Sequence, residues 1–274
     1  MHYSRTSGVW AAALLLGSSA WAENAPNPLS DRFQVTIGAF FITTHPTIRL
    51  DGESGAGDRV NWRSEFGDFD AHRVRLECHW RFSERQKLRG IFFGASRERS
   101  EVLDEDIDWG DETFPVHAQV DADLGFTILE VAYEHTILRG DNYELDLSLG
   151  LHYTRLEASL EAEAEASGGT LSEDLSETAR LDAPLPAIGL GGMWSLPHDL
   201  WLDASAQFFA LSIDDYDGNL QSYRASVTWQ PKSWLGIGVG YSLFTIDVDV
   251  DNQGLHGTLD WLYQGPTVFY RASF

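Results

Sequence analysis

The sequence predicts an all-β chain: one antiparallel up-and-down sheet closed into a barrel that crosses a membrane. Three observations carry this. Long stretches alternate between apolar and polar residues, which is the two-residue period of a strand with different media on its two faces. Short turns and long acidic loops alternate along the chain, as in transmembrane barrels. The N-terminal residues read as an export signal, and no later segment has the unbroken apolar run of a spanning helix.

In the export segment, Arg5 supplies the positive start, Val9–Leu16 the short apolar core and Ala20-Trp21-Ala22 a small-x-small cleavage site. Residues 1–22 are therefore expected to be removed, leaving 23–31 as a polar lead-in and 32–274 as the barrel. The formal charge of the whole chain is −23, from 19 basic and 42 acidic residues. Such a surface repels nucleic acid and excludes it as a partner. The single cysteine, Cys78, rules out an internal disulfide framework and reads as inert packing on an apolar strand face.

The first strand is expected from Arg32 to Ile42, with Phe33, Val35, Ile37, Ala39 and Phe41 on one face, continuing past a bend at Pro46 to Leu50. Asp51–Asp58 is a glycine-rich loop. A second strand is expected over about 60–82, broken near Gly67. In its second half Val74, Leu76, Cys78, Trp80 and Phe82 oppose Arg73, Arg75, Glu77, His79 and Arg81. A soluble sandwich has no place for such a charged face, whereas a barrel wall between lipid and a polar lumen does. A third strand covers 87–96, followed by an acidic segment at 98–112. A fourth covers 120–137, and Arg139–Asn142 forms a turn.

The fifth strand alternates most clearly. Tyr143, Leu145, Leu147, Leu149, Leu151 and Tyr153 share one face, an aliphatic band bounded by tyrosines. An acidic stretch from 157 to 182 reads as a loop. Strands six to ten are expected at 185–196, 200–212, 220–230, 234–248 and 256–274. In the last, Leu259–Tyr263 is out of phase with the residues C-terminal to it, which predicts a bulge. The count is ten; eight and twelve are the alternatives, since the split second strand and the 157–182 segment can each be counted differently.

Parity assigns to the lumen Arg73, Arg75, Glu77, His79, Arg81, Lys87, Arg89, Glu130, Glu134, Glu144, Asp146, Asp203, Arg224 and Arg271. The two signs nearly balance, which favours mutual neutralisation inside a narrow bore over an ion-selective lining. Inward glycines at 189, 191, 236, 238 and 240 leave room for long side chains. The Gly189-x-Gly-Gly run has no helix after it and is read as packing, not as a phosphate loop.

The final strand, GPTVFYRASF, places Pro266, Val268, Tyr270, Ala272 and Phe274 on one face. This resembles the closing strand of Gram-negative outer-membrane β-barrel proteins. The resemblance is one of pattern over nearly the whole mature chain, without a subfamily motif. It implies location in the outer membrane, with short turns periplasmic and acidic loops outside. It also implies that Val268, Tyr270 and Phe274 form a signal read by the barrel-assembly machinery. Outer-membrane lipid and lipopolysaccharide are the implied surroundings, with weakly bound divalent cations at the acidic loops.

Outer-membrane enzymes place carboxylates, histidine or serine at the rim. Here His45, His117 and His256 and the carboxylates Asp104, Glu105, Asp106, Asp214, Asp215 and Asp217 are near the rim, but no Asp-His dipeptide or paired Ser and His stands out. Asp247, Asp249, Asp251 and Asn252 fail as a calcium loop, because Asn252 and Thr258 occupy the positions of the turn glycine and the bidentate glutamate. No cofactor or metal site is expected. The reading is a structural barrel or narrow, porin-like passage with a charge-filled lumen. The alternatives are a rim enzyme acting on lipid or peptide, and a surface-binding protein acting through its acidic loops.

Overall fold

The computed structural model describes residues 27–53, 55–67, 71–165, 172–213, 216–252 and 255–274. The expected export signal at 1–22 and the rim carboxylates at 214 and 215 lie outside the described residues. Ten long strands form the wall: β1 (Phe33–Leu50), β3 (Ala71–Ser83), β4 (Gln86–Val102), β7 (Gln119–Arg139), β8 (Tyr143–Glu165), β9 (Ser172–Leu196), β10 (Leu200–Ile213), β11 (Tyr216–Lys232), β12 (Leu235–Asn252) and β13 (Leu255–Ser273). Each pairs antiparallel with the next, and β13 pairs with β1 to close the barrel. At the seam, Phe274 donates its N–H to the Phe33 carbonyl at 2.8 Å and accepts from the N–H of Arg32 at 2.7 Å. The remaining elements, β2 (Arg59–Asn61), α1 (Trp62–Phe66), β5 (Ile107–Trp109) and β6 (Glu112–Phe114), lie in two of the long loops.

The outer face carries the apolar belt. Leu147, Leu149 and Leu151 on β8, Val131 on β7, Val239 on β12 and Tyr270 on β13 are all exposed. From Tyr143 to Tyr153 the belt stands roughly 25 Å tall, the height of a bilayer's apolar band. Cys78 is on this outer face and free. β8 is longer than a membrane requires, with 23 residues. At about 3.3 Å per residue and a tilt of about 40° it stands roughly 58 Å tall, nearly twice the about 30 Å of hydrocarbon. The wall therefore rises well beyond the belt at the loop end.

That height corrects three expectations. The acidic stretch 157–182 is mostly wall: β8 runs to Glu165 and β9 starts at Ser172. Leu156, Ala158, Leu160 and Ala162 are buried inside while Glu161 faces water, so the strand alternation simply continues above the membrane. The expected second strand is one wall strand, β3, preceded by a loop that folds back as β2 and α1. Asn61 caps that helix, its side-chain oxygen accepting from the N–H groups of Arg63 and Ser64 at 3.1 and 3.2 Å. The expected bulge at 259–263 is absent, since β12 and β13 hold one register from Asn252↔Leu255 to Leu235↔Ala272. Leu259, Trp261 and Tyr263 point inward in phase with Phe269 and Arg271. The pattern looked out of phase because the interior itself changes from polar to apolar along the axis.

One close approach in the wall requires glycine. A side chain at Gly265 would run into the Phe41 carbonyl across the seam, where ladder pairing between β1 and β13 pauses between Phe40↔Thr267 and Thr43↔Gln264.

Candidate functional site

The interior is stacked in layers. The lowest, at the short-turn end, is charged. Parity on β3 and β4 points Arg75, Arg81, Lys87 and Arg89 inward, and on β7 and β8 it does the same for Glu130, Glu134, Glu144 and Asp146. Glu144 is fully buried and lies 2.8 Å from Arg81 Nη2 and 2.6 Å from Lys87 Nζ. Lys87 also donates to Asp146 at 2.6 Å, and the Thr136 hydroxyl donates to the other Asp146 oxygen at 2.6 Å. Arg89 spans Glu130 at 2.8 Å and Glu134 at 3.1 Å. From the far wall, Arg224 Nη1 reaches Glu130 at 3.3 Å and the Gln207 amide donates to it at 2.8 Å. Arg271 pairs with Asp203 at 3.1 Å, and Glu77 holds His79 at 2.9 Å.

Each buried cation of this layer thus faces a carboxylate, six of each sign: Arg75, Arg81, Lys87, Arg89, Arg224 and Arg271 against Glu77, Glu130, Glu134, Glu144, Asp146 and Asp203. A cavity of about 110 Å³ runs among them. That is room for about four waters at roughly 30 Å³ each. Arg73 is not brought into this layer. It is at the upper edge of β3, where pairing with β4 has stopped, and donates to the carbonyls of His72 and Ser96 at 3.2 and 2.9 Å. The glycines on β12 divide in role: the ring of Phe269 fills the space at Gly238, whereas Gly240 borders the cavity.

Above the charges lies an aromatic layer. Arg75 joins the two, its guanidinium 5.5 Å from the ring centres of both Phe40 and Phe93, while its Nη1 donates to Ser242 at 3.0 Å. Phe93, Phe126, Phe244, Trp261 and Tyr263 pack ring against ring, with centroid separations from 4.6 Å for Phe244–Tyr263 to 6.4 Å for Phe126–Tyr263. His152 stacks on Phe244 at 4.7 Å. Trp261 donates its indole N–H to Thr44 at 2.5 Å. The sequence reading missed this layer, because at Phe40-Phe41 and Phe92-Phe93 both faces of the strand are apolar and alternation alone does not say which one faces lipid.

A lid closes the loop end. Trp62 and Phe66 of α1 and Trp109 and Phe114 of the β5–β6 hairpin are fully buried and continuous with the wall residues Leu50 and Leu160. Main-chain bonds tie the lid down: Gly110 N–H to the Leu50 carbonyl at 3.0 Å and Asp58 N–H to the Asp108 carbonyl at 2.7 Å. The other end is partly filled by the lead-in. Leu29 is buried against Met193 and Trp201, and its carbonyl accepts from Arg139 at 2.7 Å. Asp31 borders the charged cavity, and burial pushes its carboxyl up to about 6, against the pull of Ser273, Arg81 and Arg271.

Two of the rim histidines lie apart. His45 faces outward and meets Arg63 of α1 at 3.1 Å, while His117 is exposed in the loop before β7. Among the described residues no group of three or more His, Cys, Asp or Glu side chains is placed to hold a metal.

No protein-family model and no curated protein matches the sequence. Solved structures do. The outer-membrane protease OmpT of Escherichia coli aligns over 92% of this chain and 99% of its own, with a TM-score of 0.61 at 13% identity. The chain has the fold of an outer-membrane β-barrel. The barrel also aligns, more loosely, with the attachment invasion locus protein Ail of Yersinia pestis (TM-score 0.34, 13% identity, 87% of this chain and 99% of that one). With the toluene transporter TodX of Pseudomonas putida the TM-score is 0.38 at 9% identity, over 90% of this chain and 92% of that one. These likenesses are ones of fold. In barrels of this fold the short turns lie on the periplasmic side and the long loops outside.

Proposed function

We propose that this barrel is a sealed structural element of the outer membrane, not an open passage. One observation carries the reading: three layers of different chemistry are stacked along the one axis a solute would follow. The lid and the aromatic layer are apolar and packed, so an ion crossing them loses its hydration with no polar lining to replace it. In the charged layer below every buried cation has a carboxylate partner, so a passing ion meets groups already neutralised by one another. Each layer alone would narrow the bore, and in series they close it. Purified protein reconstituted in planar bilayers is expected to give no steady conductance. Large, long-lived open channels would overturn the reading and put an open, porin-like passage in its place.

A further inference from the structure

The chain is strongly acidic, yet one recess on its outer wall gathers arginines. β3 pairs with β4 only as far as Leu76↔Phe92, so above that point the wall between them parts. The next outward positions on β4 and β7 are small: Gly94, Ser96, Gly125 and Thr127. They floor an outward-facing hollow of about 360 Å³. Arg73 borders it on one side and Arg155 of β8 on the other.

The charges around this hollow leave a surplus. Arg155 donates to Asp182 at 2.7 Å and to the Tyr153 hydroxyl at 3.0 Å. Glu157, which also borders the hollow, is paired with Arg180. Arg73 is bound only by main-chain carbonyls, with no carboxylate partner among the described residues. Among the described residues, three guanidinium groups therefore face two carboxylates. One step higher the sign reverses. Asp123 is crowded by Glu98, Glu157 and Glu161, and burial and then these neighbours raise its pKa. The positive hollow is thus confined to the side nearest the bilayer.

Its height matters most. Directly below it, Val74 on β3, Phe92 on β4 and Leu129 on β7 are exposed members of the apolar belt. The hollow is immediately above the hydrocarbon, at the loop end, where the head groups of the outer leaflet lie. We propose that it binds the phosphate of an outer-leaflet glycolipid, with Arg73 and Arg155 clasping the anion and the glycine floor admitting the sugar that carries it. Arginine suits this task, since its planar fork bonds two phosphate oxygens together. The site is on the outer wall, so it stands or falls independently of whether the lumen conducts.

The test uses the full barrel in detergent, with diphosphorylated lipid A as probe and its dephosphorylated form as control, retention being read by native mass spectrometry. Wild type is expected to hold the diphosphorylated lipid at least tenfold more tightly than the control. R73Q and R155Q are each expected to lose at least tenfold. G125V fills the floor without changing a charged residue; its Cβ would meet Ser96 at 3.6 Å and the Asp123 carboxylate at 3.9 Å, both ordinary contacts, so it should fold and still lose binding. Equal retention of the two lipids, or unchanged binding in G125V and both arginine variants, would overturn the proposal. So would inorganic phosphate binding wild type as tightly as the lipid does. If an arginine variant fails to fold, G125V and the two-lipid comparison on wild type decide the matter.

Discussion

The value of a charge in this molecule depends on which side of the wall it occupies. Glu130 is buried in the lumen and neutralises Arg89 and Arg224 together. Replacing it with alanine takes the paired carboxylate from Arg224 and leaves Arg89 to Glu134 alone, and loss of about 3–5 kcal/mol of stability is expected. Asp260 is exposed on the outer wall and pairs with Arg59, itself more exposed still. An Asp260→Asn change should cost less than about 1 kcal/mol, as screened surface pairs do. Urea or thermal unfolding of the detergent-solubilised variants measures both. Similar losses at the two positions would mean that the lumen is far wetter than its geometry implies.

Among the elements, the lead-in carries a carboxyl whose ionisation weakens the fold near neutral pH. Asp31 has its carboxyl raised to about 6 by burial. Its folded-state pKa lies above its unfolded one, so the folded barrel binds this proton more tightly than the unfolded chain does. The ionised side chain therefore destabilises the fold at neutral pH, and that penalty fades as pH falls through about 6 toward the ordinary carboxylate range. An Asp31→Asn variant should melt above wild type at pH 7.5, with the gap closing by about pH 4. A gap independent of pH would place the effect in packing instead of ionisation. The wall strands were legible in the sequence for the opposite reason: lipid admits no charge, so an unbroken run such as Leu145 to Leu151 has one reading. The upper wall was less legible. Above the belt, Leu156 to Ala162 alternates with glutamates that face water, and composition alone made it a loop. The inward aromatics at Phe40, Phe93 and Tyr263 were hidden because a two-residue period marks two faces without naming their surroundings. Arg73 has the lumen's parity, but the end of β3–β4 pairing, which no residue pattern announces, leaves it on the outside.

For the whole molecule, closure in series means that no single layer should control the bore. Replacing residues 104–117, which include the β5–β6 hairpin, by a short Gly-Ser link removes Trp109 and Phe114 from the lid while Phe93, Phe244 and Tyr263 still pack beneath it. The shortened barrel is expected to remain non-conducting in planar bilayers, although its unfolding temperature should fall as buried aromatic area is lost. Steady current through it would show the lid to be the only seal.

The seam between β1 and β13 also places the fold in time. Val35 pairs with Ala272, and Phe33 waits for Phe274. The first strand to leave a ribosome is therefore the last to find its second neighbour, and until then its ladder groups present an open edge. Joining ends so far apart in sequence carries a loop-closure cost that no local hairpin shares, and it makes closure a slow, late event. An unclosed sheet of this length in the periplasm would be exposed to aggregation throughout that delay. Until the other edge arrives, β1 offers its free ladder groups to any strand that meets it.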